Sequence, residues 1–418
     1  MRLSLSKAKS RSGRFTLGAS GTAKAAEPVC GLNNGKPATG APIPIGGVVS
    51  KTGPADFSTS GQAAAAYFKC VNANGGINGR PIVYSMADDG WNPDQSAQAA
   101  ARLIKDDKVF ALVGNVSIID CAVNQGLYEA EDVVVIAGVG VARECFFAKN
   151  YAPTNQGPRL SNLAPAIYAN KTFGAKKFVC IAINAPGSDW ACNGIRDWGK
   201  DKGIELHTIL FNPDGLDATS TILEAMSYKP DVIDILMIEP FAVAMFQAAE
   251  QQGLGDKVHW IGAASLYNAS IPPAIGKYWN DKLYVGLEFQ PLENNGPDNQ
   301  NWLAVLAKYA DPGVRHDTFS QSGYLGARIL TEALLKLDPA KIDRKTTTAA
   351  LREVKGFKSD ILCAPWYFGP GIHHNANHVG VVDEVDNGGF KTVASCFNVA
   401  DPETSDLTKL EAEQHLTE

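Results

Sequence analysis

The chain has no run of 18 apolar residues, so no membrane-spanning helix is expected. It has no Lys/Arg cluster in its body, and its formal net charge is -6, which argues against a nucleic-acid partner. No GxxxxGK[ST] run is present to cradle phosphates, and no G-x-S-x-G turn is present to expose a serine nucleophile. None of the cysteines forms C-x-x-C, which excludes zinc ribbons and thioredoxin-like motifs. Gly138-Val139-Gly140 follows an apolar run, but a dinucleotide fingerprint needs glycine at 143, where Arg143 stands. His373, His374 and His378 lie in GPGIHHNANH, too rich in Gly, Pro and Asn to hold them on one helix face, so they read as turn histidines. No metal and no cofactor are expected.

What is present is ordinary globular composition. Of 418 residues, 45% are hydrophobic and 20% charged, enough for two domains with separate cores. Residues 1–26 differ. Arg2, Lys7, Lys9, Arg11 and Arg14 form a basic head, followed by Ala23-Lys24-Ala25-Ala26. That is the outline of a secretory leader, although the apolar middle is short and rich in Gly and Ser. Eight cysteines permit 105 pairings. The expected set joins sequence neighbours: Cys30–Cys70, Cys121–Cys145, Cys180–Cys192 and Cys363–Cys396. Each bridge would contribute roughly 3 kcal/mol by the loop-entropy model. The alternative is eight buried thiols in a reducing compartment.

The stretch NANGGINGRPI (72–82) stops one element and starts another. Before it, Ala64, Tyr67, Phe68 and Val71 recur at helical spacing; its glycines and asparagines suit a left-handed cap; Ile82 then opens a strand. Short apolar runs continue to alternate with amphipathic segments: VFALVG, VVVIAG, KFVCIAI, ELHTILF, VIDILMI, VHWIGA and LYVGLEF. This pattern predicts parallel strands covered on both faces, an α/β fold. PTNQGPRLS (153–161) interrupts it as a boundary, and a second α/β half follows. APWYFG, VGVVDEV and FKTVASCF predict a β-rich end, and the polar residues after Pro402 predict a frayed tail.

Ligands of open α/β sheets bind beyond the carboxyl ends of strands. Asn115 to Ile119, Gly140, Val141, Asp189-Trp190, Glu239 and Tyr267-Asn268 all occupy such positions. They converge on a cleft between two lobes with no acid–base pair or nucleophile standing out.

The segment VVSKTGPADF, AAAAYFKCVNANGGINGRPIVYSMADDGWNP, LVGN and LYEAEDVVVIAG resembles the leucine/isoleucine/valine-binding group of type I periplasmic binding proteins, the solute receptors of ABC importers. The similarity runs over roughly 43–400 and is strongest before 140. It implies two Rossmann-like lobes joined by three hinge crossovers, with the ligand cleft between them. The implied division is a leader at 1–26, lobe 1 at 27–160 and 287–355, lobe 2 at 161–286 and 356–400, and a flexible tail at 401–418. It also implies an exported, extracytoplasmic monomer that closes on a small molecule and docks on a membrane permease, without chemistry. A ligand sensor of the same fold is the alternative, and an α/β enzyme a more distant one.

Carried over residue by residue, the family's amino-acid site departs from its pattern here. A serine position falls on Ile118, a threonine position on Val141, and the acidic partner of the ligand ammonium on Ala264. Losing all three leaves a zwitterion uncompensated, which costs several kcal/mol. With Phe57, Trp190, Tyr267 and Phe319 in the set, the preferred ligand is an aromatic or apolar carboxylate or an amide, and an amino-acid-like solute is the other expectation. Ser58, Ser117, Ser188, Asp189 and Glu239 remain as polar handles.

Overall fold

The computed structural model describes residues 27–418, so the leader-like segment 1–26 lies outside the described residues. Strands β1 (Ile43–Val49), β2 (Ile82–Asp88), β3 (Ala111–Val113), β4 (Val134–Ala137) and β5 (Tyr151–Pro153) alternate with helices α1 (Thr59–Ala73), α2 (Pro93–Ala101) and α3 (Asp120–Ala130). A second set follows: α4 (Pro158–Phe173), β6 (Lys177–Ile183), α5 (Ser188–Gly199), β7 (Glu205–Phe211), α6 (Ala218–Ser227), β8 (Val232–Leu236), α7 (Glu239–Gln251), β9 (His259–Gly262), α8 (Ile271–Ile275) and β10 (Leu283–Leu287). The chain ends with α9 (Pro297–Tyr309), α10 (Thr318–Leu335), α11 (Arg344–Arg352), β11 (Val379–Asp386), β12 (Gly389–Asn398) and α12 (Ser405–Gln414).

Two sheets result. The first is parallel, in the order β2-β1-β3-β4-β5. The second runs β12-β11-β10-β9-β8-β6-β7, parallel except for the antiparallel β10-β11-β12 edge. Alternation along the strands explains why both faces are covered. Ile43, Ile45, Val113, Val134 and Ile136 meet side chains of α1, α9 and α10, including Phe68, Trp302 and Leu330. Val48, Leu112, Val135 and Ala137 meet Ala100, Leu103 and Tyr128 on the other face. In the second sheet, Val179, Ile181, Ile233 and Ile235 pack with Phe246 and Trp279, while Phe178, Val232 and Ile261 pack with Leu163 and Trp198 of α4 and α5.

Local chemistry sets the element ends. Asn92 caps α2, its side chain accepting from the amides of Asp94 and Gln95, with Pro93 at the first helical position. Asp317 and Ser320 form a reciprocal capping box at α10. After α1, Gly75, Gly76, Asn78 and Gly79 all take positive φ, the backbone region glycine and asparagine tolerate best. That turns the chain from α1 into β2.

Two sequence expectations are corrected. The resemblance implies that 356–400 belongs whole to the second lobe, but Phe357, Ile361, Leu362, Trp366, Tyr367, Phe368 and Ala376 lie in the first core. APWYFG makes only an isolated bridge, Phe357 to Trp366. The second correction concerns the tail. Residues after Pro402 form α12, with Leu407 buried and Leu416 in the first core. The four disulfides join Cys30–Cys70, Cys121–Cys145, Cys180–Cys192 and Cys363–Cys396.

Candidate functional site

Each sheet has a topological switch point, where successive strands leave in opposite lateral directions. In the first it lies between β1 and β3, in the second between β6 and β8. Such points open a crevice at the strands' carboxyl ends. The two crevices face each other. A Cβ placed on Gly187, just after β6, would lie 3.1 Å from the Val141 carbonyl oxygen, just after β4. Phe146 and Trp190 also meet across the divide, with ring centroids 5.8 Å apart.

Three chain segments pass between the lobes here: 154–157, 288–289 and 376–378. They are bound to each other by buried amides. Asn155 donates to the Glu288 carboxylate at 2.6 Å, and Gly157 N donates to the same oxygen at 3.1 Å. Asn377 donates to the carbonyls of Thr154 (3.2 Å) and Glu288 (2.7 Å). Burial pushes the Glu288 carboxyl up to about 7, against the hydrogen bonds from Asn155 and Gly157. Several buried amides of this hinge therefore pair across the joint, while Gln156 Oε1 and His378 Nδ1 are buried without a hydrogen-bond partner and Phe289 and Ala376 join the first core.

On the first lobe, Asp89 gathers three cleft loops. Its carboxylate accepts from Ser50 Oγ (2.8 Å), Trp91 N (3.0 Å) and Ser117 Oγ. Ser117 Oγ in turn accepts from the amides of Ile119 and Asp120, opening α3. Asp120 is held by Asn115, Asn124 and Tyr128; burial raises its carboxyl despite those bonds. Above this base stand three half-buried aromatic rings: Phe57 lies 5.3 Å from Trp91 and 5.1 Å from Phe319. Across the cleft, Glu239 opens α7 and accepts from Asn268 (3.1 Å), while Asp189 is exposed and accepts from Asn193 (2.9 Å).

A family model for periplasmic binding proteins matches residues 42–389, most of the chain. The chain is a periplasmic binding protein. Among relatives, this binding protein is 24% identical over 327 residues to the Leu/Ile/Val/Thr-binding protein of Salmonella typhimurium, covering 75% of this chain and 83% of that one. Its fold matches a solute-binding protein of an ABC transporter from R. palustris, solved with 4-hydroxybenzoate, at a TM-score of 0.75 and 18% identity; the match covers 87% of this chain and 100% of that one. It also matches a fatty acid ABC transporter substrate-binding protein from Thermomonospora curvata at 0.74 and 19% identity, over 87% and 94% of the two chains. These solved structures fix the type I fold: two α/β lobes, each with a parallel sheet.

Within that frame, the residues singled out from sequence fall into three groups. Phe57 and Phe319 come together on the first lobe, and Ile118 and Val141 are partly exposed at the ends of their loops. Ser188, Asp189, Glu239 and Ala264 are partly or fully accessible at the strand ends of the second lobe. The remainder are occupied by the protein itself. Ser117 is buried on Asp89, Asn115 on Asp120, Gly140 on Asn155, and Ser58 is buried and accepts from Gln62. Trp190 donates to Glu403 (2.6 Å) and packs on Phe146. Tyr267 is 4% exposed, packs on Phe390, and its hydroxyl binds Glu293 and Leu292 N. Trp91 was missed. Its signal was available, because DDGWNP follows β2 as directly as the other loops follow their strands.

Proposed function

We propose that this binding protein is the extracytoplasmic receptor of an ABC importer and captures an aromatic or apolar carboxylate by lobe closure. It hands the solute unchanged to a membrane permease. The observation that carries the solute class is the ring cluster of Phe57, Trp91 and Phe319 on one cleft face. An aromatic body stacks on such a surface with about 0.5–1.5 kcal/mol per ring pair beyond its area burial. The first turn of α1 has no acidic residue of its own, but Asp56 accepts from Ser58 N at 2.8 Å and Asp317 from Thr59 Oγ1 at 3.0 Å, so two carboxylates already stand at this helix start. Opposite, the carboxylates of Asp189 and Glu239 suit a hydroxyl or amide donor rather than a second anion. Closure brings the two faces together, and the contacts made only then supply the free energy of the motion.

The solute assignment differs from that of the amino-acid-binding relatives because Ile118, Val141 and Ala264 offer no side-chain partner to a zwitterion. A thermal-shift and calorimetric panel of leucine, valine, benzoate and 4-hydroxybenzoate tests it. Stabilisation by the aromatic acids is expected. Strong stabilisation by leucine or valine, with none by the aromatic acids, contradicts the reading.

A further inference from the structure

The family match ends at residue 389, but the chain continues for 29 residues, which return from the second lobe to the first. This return has three anchors. The first is covalent. Cys396 on β12, a strand of the second sheet, is bonded to Cys363, whose neighbours Ile361, Leu362 and Trp366 sit in the first core. The second is a charged node. Glu403 accepts from Arg143 Nε of the first lobe at 2.6 Å and from Trp190 Nε1 of the second at 2.6 Å. Asp401 beside it accepts from Arg159 of α4 at 2.5 and 2.9 Å. The third is α12 itself, seated on the first lobe. Asp406 meets His373 at 2.9 Å, Glu411 meets His378 at 2.9 Å, Leu410 and Leu416 pack with the first core, and Leu416 O accepts from Gly356 N at 2.9 Å.

We propose that residues 390–418 are a built-in limiter of lobe movement. The segment laces the second lobe to the first beside the three ordinary crossovers. A hinge of three strands bends about an axis; a fourth crossing bonded on both sides of that axis resists the swing. Glu403 is the positioning residue of the device, because its two oxygens bind groups on opposite lobes. The consequence is a narrower range of open forms, so less freedom is lost on closing and release is slower. This rests on the reading that the lobes move to take up solute. The readout below needs no ligand, so a wrong solute class leaves it intact.

The test is hydrogen exchange on the ligand-free full chain. The reporters are the hinge amides of Thr154 and Gly157, and peptides from β1 and β8 are the controls. Arg143 is half exposed, so Arg143→Ala cuts the node without opening a core. Hinge exchange is expected to quicken by about two- to fivefold, the range one partly exposed ion pair supports, with β1 and β8 unchanged and Arg143→Lys restoring the rate. The pair Cys363→Ser/Cys396→Ser should quicken it further. Unchanged hinge exchange in Arg143→Ala overturns the proposal. So does a uniform rise that includes β1 and β8, since that marks a general loss of stability. If the cysteine pair does not fold, Arg143→Ala with its lysine rescue decides alone.

Discussion

Phe57 and Trp91 carry the proposed solute class, and each can be removed without emptying a core because both are only half buried. Phe57→Ala and Trp91→Ala are each expected to weaken 4-hydroxybenzoate binding by about tenfold, roughly 1.4 kcal/mol, with little change in melting temperature. Calorimetry checks this, and unchanged affinity in both variants would exclude the ring cluster from the site. A second residue-scale prediction concerns acids buried at a cost. Asp234 on β8 is wholly buried, accepts from Asn162 at 2.7 Å, and is pushed up to about 8 by burial. An unfolded aspartate loses its proton near 3.9. Between those values the unfolded chain holds fewer protons than the native one, so this group's contribution to stability falls as pH rises from about 4 to about 8. Asp234→Asn removes that dependence. Its melting temperature relative to the parent should therefore rise between pH 5 and pH 8, and a flat difference across that range would contradict the argument. At this scale the sequence read polarity well and occupancy poorly. Ser117, Trp190 and Tyr267 stand at strand ends, as expected for ligand contacts, but Asp89, Glu403 and Glu293 claim their polar atoms. Those partners are far apart in the chain, and nothing local announces them.

Elements were legible where burial alone decides their type. KFVCIAI and ELHTILF match β6 and β7 residue for residue, because apolar strand formers bounded by polar turns leave little choice. The tail was not legible. SDLTKLEAEQ is mostly polar, and its helix depends on Leu407 and on histidines thirty residues earlier, which pattern reasoning cannot pair. The first lobe's claim on 357–376 was hidden for the same reason: its aromatic residues read as strand and in fact fill a core as irregular chain. The hinge can be tested as an element. Asn377→Ala removes two donors to Thr154 and Glu288 carbonyls and leaves both acceptors buried. A loss of about 1–3 kcal/mol is expected in chemical denaturation. No loss would mean the three crossovers are not held by these bonds.

At the scale of the whole molecule, two lobes with facing switch points meet at a polar hinge, and residues 390–418 return from the second lobe to the first. The two-lobe division was visible from the repeated strand–helix alternation and the pause at 153–161. The distribution of the last sixty residues between lobes was not, because it is settled by tertiary contacts. In the proposed function the lobes close on a small solute. Small-angle scattering of the full chain, without and with saturating 4-hydroxybenzoate, measures that directly. A smaller radius of gyration with solute is the predicted result. Bound solute with an unchanged scattering curve would contradict it.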